Sequence, residues 1–258
     1  KWFPHNKGGA FRKWYGNQDY LVNWENDGYE IKNFKDEKGK LLSRPQNLSI
    51  YFHSAISWSV ICSGTLNFRY YPNGFIPNMC GMCCILDTKN DELLLLAYSN
   101  SKVVSTIVDL INPTMNLSNG VFAKVPSPFI INDRETIECK TEQNISISRS
   151  DWDAHETSWD FQTNELLTIN ETTCIDILND YASTTGICID PAALAPESLE
   201  WRMDLYKMKW TAKFLQLHKN EEELNRQFID IYGLPSRVAA ARDVKFGNGI
   251  EVPENTVE

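Results

Sequence analysis

The spacing of apolar residues changes near residue 150, and this change most limits what the chain can fold into. Over residues 20–128 the apolar residues come in short or alternating runs: YLVNW, LSIYFHSAISWSVI, FRYYPNGFI, CCILD, ELLLLAY and VFAKVPSPF. Turn signals at Asn26-Asp27-Gly28, Pro72-Asn73-Gly74 and Asn119-Gly120 cut them apart. Alternation bounded by turn residues is the pattern of half-buried strands. Beyond residue 150 the period becomes helical, so the sequence predicts an α+β chain, with a β-rich first part and a mainly helical second part.

One βα unit is expected inside the first part. The apolar stretch 92–98 reads as a strand running into a helix over SNSKVVSTIVDLI. Ser99 or Asn100 can cap that helix, Val103, Val104, Ile107, Leu110 and Ile111 share a face, and Asn112-Pro113 ends it. In the second part, SRSDWDAHETSWDF offers Ser150 as a cap, with Trp152, His155, Glu156 and Trp159 at helical spacing and the two tryptophans read as core. A helix is expected over 173–181. Another follows Pro196, with Leu199, Met203, Tyr206, Trp210, Phe214 and Leu217 three or four apart. A further start at Asn220, with Glu221, Glu222 and Glu223 as a solvated first turn, leads to a stop at Gly233. The expected organisation is residues 1–150 as the β-rich domain, 151–235 as an acidic helical segment and 236–258 as an irregular tail.

Charge divides at the same place. The chain has a formal net charge of −9, but residues 1–150 carry 16 Lys and Arg against 14 Asp and Glu, whereas 151–258 carry 9 against 20. Only the first part can lie against phosphates without strong repulsion. The longest apolar run is strand-sized, well short of the ~20 residues of a membrane helix, and no apolar signal core follows the N-terminal charges. A membrane protein is not expected. Seven cysteines at irregular spacing do not form a secreted disulfide framework, so a reducing cytoplasm is the expected location.

Catalytic signatures are missing. Nothing matches GxGxxG or GxxxxGK[ST], no GxSxG accompanies His155 and its acidic neighbours, and Asn112-Pro113-Thr114-Met115 shares only two positions with an Asn-Pro-Pro-Tyr base pocket. Cys80-Gly-Met-Cys83-Cys84 has the spacing of half a zinc site but no second pair of ligands, so no metal is expected. The feature left over is GGAFRKWYGN at residues 8–17. It places paired glycines beside two cations and two aromatics, the groups that admit and hold phosphate, although its composition fits an ordinary surface loop equally well.

That block and its surroundings resemble a known family. The stretches KWFPHNKGGAFRKWYGNQDYLVNWENDGYEIKNF, RPQN at residues 44–47, ISWS at 56–59 and SGTLNFRYYPNGFI are similar to the target-recognition region of PglX-type enzymes. These are adenine-specific DNA methyltransferases of BREX phage-defence systems, related to type IIG restriction-modification enzymes. The likeness continues through NSKVVSTIVDLINPTMNLSNGVFAKVPSP, SRSDWDAHETSWDF and NEEELNRQFIDIYGL, covering most of residues 1–235.

The resemblance implies a modular enzyme. S-adenosylmethionine serves a catalytic domain that methylates a flipped adenine, while a separate domain reads the duplex. This chain, which does not begin with methionine, is expected to be a fragment containing the recognition domain, with no cofactor of its own and no methylation by itself. Its expected partners are duplex DNA, the rest of the methyltransferase and other BREX proteins. Lys7, Arg12, Lys13, Tyr15 and Asn17 are expected to clamp the DNA backbone. Arg44, Asn47, Ser57 and Arg69 are candidates for base edges or further backbone contacts, and Lys102, Asn116 and Lys124 come third. The alternative role is a protein-interaction module that docks other defence components through the acidic helices.

Overall fold

The computed structural model describes residues 1–61, 65–129, 131, 134–194 and 198–234; the expected tail at 236–258 lies outside them. The chain divides into two compact units, Lys1–Glu138 and Cys139–Glu258. Among the described residues there are six strands and eight α-helices, all strands falling in the first unit. The α+β class and the helical C-terminal part are as the sequence predicts.

Two three-stranded sheets organise the first unit. In one, β1 (Trp2–Asn6) lies between β2 (Tyr20–Asn23), antiparallel with His5 opposite Tyr20, and β5 (Ile76–Pro77), parallel with His5 opposite Ile76. In the other, β3 (Ala55–Ser59) is central between β4 (Phe68–Tyr71) and β6 (Gly81–Cys84), both antiparallel to it. Every residue of β3 is buried. Strand alternation puts Ile56 and Trp58 on one face and Ser57 and Ser59 on the other. Trp58 stacks against Phe68 and Phe122 at 5.2 and 4.8 Å between ring centroids, and its indole N–H donates to the Leu117 carbonyl at 2.8 Å. The serine face needs a polar cover, which the N-terminal segment supplies.

The expected βα unit is corrected. Residues 92–98 are helical, inside α2 (Lys89–Ser99), which follows α1 (Glu25–Lys32) and leads into α3 (Lys102–Ile111). Thr88 caps α2 by accepting from the Asp91 N–H at 3.1 Å, and Ser101 caps α3 by accepting from Val104 N–H at 3.3 Å. Residues 92–99 are all buried, so the continuous apolar run is that of an enclosed helix and not of a strand. The turn at Asn26-Asp27-Gly28 is present as three successive left-handed residues, with φ of 49°, 56° and 71° within α1. Asn119-Gly120 opens a single helical turn, α4 (Asn119–Phe122).

Helix α5 (Glu135–Asp153), whose residues from Cys139 onward belong to the second unit, runs through Ser150, the residue expected to cap a helix there. The Ser150 hydroxyl donates to the Ser146 carbonyl one turn earlier at 2.9 Å, as a helix-interior serine does. Trp159, expected in the core, is 45% exposed in the turn beyond α5. After the short α6 (Glu165–Thr168), α7 (Glu171–Thr185) starts from an Asn170–Thr173 capping box and stops at Gly186, whose φ is 76°. The last helix, α8 (Leu199–Ile231), is continuous through Asn220, so no new helix starts there. Glu221, expected in solvent, is 3% exposed. Ile169, Cys174, Ile177 and Leu178 pack against Trp201 and Leu205 of α8 to form a core. Asn220 of α8 donates to Asn144 of α5 at 2.9 Å.

Candidate nucleic-acid interface

The serine face of β3 meets the end of β1 and the segment after it. Asn6 donates through Nδ2 to Ser57 Oγ at 2.6 Å and to the Gly81 carbonyl at 3.3 Å, and its Oδ1 accepts from the Gly8 N–H at 3.3 Å. Ser57 Oγ donates onward to the Met82 carbonyl at 2.7 Å. Ser59 Oγ accepts from the Gly9 N–H at 3.1 Å and donates to the Gly9 carbonyl at 3.0 Å. The backbone passes so close that a side chain has no room: a Cβ on Gly8, where φ is 78°, would sit 2.7 Å from the Cys80 carbonyl oxygen. One on Gly9 would sit 2.8 Å from Asn17 Nδ2. Gly8 therefore serves close packing against Ser59 and Cys80, and Gly9 close packing against Asn17 of its own segment.

Arg69 fixes the next part of the block. Its guanidinium donates through Nη1 to the Arg12 carbonyl at 3.1 Å and to Asn67 Oδ1 at 2.8 Å, and through Nη2 to Ser59 Oγ at 3.0 Å. Trp14, at a φ of 67°, bridges beside Arg69: its N–H donates to the Phe68 carbonyl and its carbonyl accepts from Tyr70, both at 2.9 Å. Arg12 Nε donates to the Tyr15 carbonyl at 2.9 Å, and Asn17 Nδ2 to the Ala10 carbonyl at 2.8 Å. Tyr71 donates its hydroxyl proton to the Asn17 carbonyl at 2.8 Å. Burial pushes that phenol up to about 12, against the opposing pull of Arg69.

The expected site residues thus fall into two sets. Lys13, Tyr15, Asn17, Ser57 and Arg69 are buried, Ser57 and Arg69 fully so. Ser57 and Arg69, expected to meet base edges or further backbone, make the hydrogen bonds named above within the fold. The Tyr15 hydroxyl donates to Gln18 Oε1 at 3.3 Å, and with the Asn17 bond to Ala10 this holds the block together. Exposed are Lys7, Arg44, Asn47, Asn116 and Lys124, while Arg12 and Lys102 are half-buried. The Lys7 ammonium stands 4.5 Å from the centre of the Tyr20 ring. Asn47 has a φ of 52° and precedes a 3-10 turn at Leu48–Ile50.

Sequence reasoning overlooked Asn6, Ser59 and Asn67, whose roles appear only when chain segments far apart in sequence meet. It also passed over the hairpin at 34–42, which the dense turn chemistry of Lys35-Asp-Glu-Lys-Gly-Lys40 signals. His5, half-buried, has its pKa lowered, first by burial and then by Lys7, with the Ile76 carbonyl opposing. Burial also raises the Cys83 thiol to about 11 and the Cys84 thiol above its usual value, so both keep their protons at neutral pH. Among the described residues, no group of three or more His, Cys, Asp or Glu is placed to hold a metal ion. No single helix among them is long and apolar enough to cross a membrane.

No family model matches the chain. It is 36% identical over 254 residues to the adenine-specific methyltransferase PglX of Lacticaseibacillus casei (strain Zhang), covering 95% of this chain and 19% of that protein. It is also 36% identical over 170 residues to the adenine-specific methyltransferase BrxX of Escherichia coli O9:H4 (strain HS), covering 65% of this chain and 13% of that protein. The chain spans less than a fifth of the length of either relative. Along almost its whole length, this chain is a PglX-like, methyltransferase-related module.

Proposed function

We propose that the Lys1–Glu138 unit is the DNA-recognition module of an S-adenosylmethionine-dependent adenine-N6 methyltransferase in a BREX-type anti-phage system. It binds duplex DNA and positions the target adenine for a catalytic domain that this chain lacks. The observation that carries the reading is the similarity of nearly the entire chain to a minor part of an adenine-specific methyltransferase, in a sequence without a cofactor-binding glycine loop or a base-pocket motif. The activity, the cofactor and the DNA substrate belong to this proposal.

The geometry supports a division of labour. Exposed Lys7, Arg44 and Lys124 contact phosphates in this reading, and exposed Asn47 and Asn116 meet base edges or sugars. Half-buried Arg12 and Lys102 reach phosphate with their outer ends. Lys13, Tyr15, Asn17, Ser57 and Arg69 act beneath them, holding the 6–17 segment on its sheet so that the surface is preorganised. Methyl transfer and cofactor binding are assigned to the remainder of the enzyme.

The test is duplex binding by the full-length enzyme carrying Lys7→Ala with Arg44→Ala, measured across a salt series. Two lost phosphate contacts lower the slope of log K against log salt by about 2. An unchanged slope and affinity remove both residues from the interface. A second reading, a protein-docking role for the acidic helices, rests on their excess of 20 carboxylates over 9 cations at 151–258. A pull-down of other BREX proteins that needs this segment and no DNA supports it.

A further inference from the structure

We infer that the hairpin at residues 34–42 is a ribbon that enters the DNA major groove; the inference rests on the DNA-binding reading and locates its groove-reading element. The hairpin is short and tightly closed. The Leu42 N–H donates to the Phe34 carbonyl at 2.8 Å, Lys35 bridges to Leu41, and the Asp36 N–H donates to the Lys40 carbonyl at 2.9 Å. At the turn, Asp36 Oδ1 accepts from the N–H groups of Lys38 and Lys40 at 3.0 and 2.8 Å. Gly39 takes a φ of 79° with open space around it. One of the hairpin's two carboxylates thus closes its own turn.

Two observations identify the occupant. First, the strand register puts Lys35 and Leu41 on one face and Phe34 and Leu42 on the other. Phe34, Leu41 and Leu42 are 57%, 53% and 55% exposed, so both faces of the ribbon keep a large apolar side chain in water. A flat protein partner covers one face of a ribbon, whereas a groove encloses two. Second, Lys35, Lys38, Lys40 and Arg44 are all exposed, against the carboxylates of Asp36 and Glu37, so the ribbon is cationic where groove walls are phosphate.

The dimensions agree. Three paired residues at ~3.3 Å each reach about 10 Å, enough for a major groove roughly 8.5 Å deep. Strands about 4.8 Å apart with side chains on both faces fit a width of about 12 Å and not the minor groove's roughly 6 Å. In that seat the leucines and Phe34 meet thymine methyl groups and base edges, and the lysines meet the backbone on either side.

The experiment uses the full-length enzyme and two duplexes of equal length, one bearing the motif found methylated in the genome and one scrambled. Binding is measured at salt from about 50 to 200 mM. Lys38→Gln with Lys40→Gln lowers the salt slope by about 2 on both duplexes. Leu41→Ser with Leu42→Ser weakens binding to the motif duplex about tenfold or more and leaves the scrambled duplex unaffected. If the leucine pair lowers the thermal midpoint, the lysine pair, exposed and outside the core, carries the test alone.

Wild-type affinity for both duplexes in both variants, with the wild type still telling them apart, overturns the ribbon and leaves the DNA-binding reading standing. A wild type that binds neither duplex overturns both. Intact DNA binding with loss of a co-purifying BREX protein makes the hairpin a protein dock instead.

Discussion

The Arg69 guanidinium, fully buried on β4, donates to the backbone carbonyl of Arg12 at 3.1 Å and so joins the second sheet to a segment 57 residues earlier in the chain. Replacing Arg69 by Met removes one buried donor each from that carbonyl, from Asn67 Oδ1 and from Ser59 Oγ, which keeps the Gly9 N–H. Loss of stability by about 2–4 kcal/mol is expected, read from denaturant unfolding. Arg69→Lys restores little, because an ammonium cannot span three acceptors held in a planar fork. A variant of unchanged stability whose methylated motif relaxes at one position would support base reading by Arg69.

Gly8 gives a steric test of the same contact. Gly8→Ala places a Cβ 2.7 Å from the Cys80 carbonyl oxygen at a left-handed φ of 78°, so a loss of about 1–3 kcal/mol is expected. Gly39→Ala shares the left-handed strain without the clash and costs less. Equal unfolding midpoints for the two variants would show that the backbone does not approach Cys80 so closely.

His5 makes stability depend on pH. Its Nδ1 lies 3.0 Å from the Ile76 carbonyl, which needs a proton there, and its Nε2 lies 3.1 Å from Asn78 Nδ2. Asn78 Oδ1 is engaged by the Cys80 N–H at 2.9 Å, which keeps the amide's donors turned to the ring. The neutral ring fits this arrangement and the imidazolium does not, in accord with a folded pKa below 6.5. Between the lowered folded pKa and the ordinary value the unfolded chain binds more protons, so this contribution is full above about pH 6.5 and declines as pH falls below it. Thermal midpoints from pH 7.5 downward should fall less steeply in His5→Gln than in the wild type.

In the second unit, Asn220 at 1% exposure donates to Asn144 at 2.9 Å and to Gln143 at 3.2 Å. Asn220→Ala leaves a buried amide oxygen unsatisfied and costs about 1–3 kcal/mol, while Leu205→Ala in the core between α7 and α8 costs about 2–5 kcal/mol. Both are read by chemical denaturation. Neither substitution is expected to change the methylated motif, since the recognition role is proposed for the other unit.

The sequence showed elements more readily than environments. Helix α3, its stop at Asn112, the start of α7 near Thr173 and the end of α8 near Gly233 were legible because breakers and periodicity act locally, although Ser101, and not Ser99 or Asn100, caps α3. The run at 93–98 was misread because an apolar stretch buried on every side has no period to separate helix from strand; Thr88 with Asp91 three residues on was the signal for a helix start. At Ser150 and Asn220, cap-forming residues sit inside long helices, where tertiary packing overrides a local preference.

Leu110 matched the apolar face of α3 in sequence but is 69% exposed, whereas Val108 is buried. Among the site residues, the full burial of Arg69 was not legible, because a strand arginine gives no local sign of burial. Its acceptors come from residues 12, 59 and 67, which only the fold brings together.

The central claim is that residues 1–138 choose the DNA sequence. The most direct measurement exchanges this unit between two PglX-like enzymes that methylate different motifs, then maps adenine methylation across the genome of cells carrying each chimaera. The account predicts that the motif travels with residues 1–138. A motif that stays with the recipient enzyme, in a chimaera that still methylates, would contradict it.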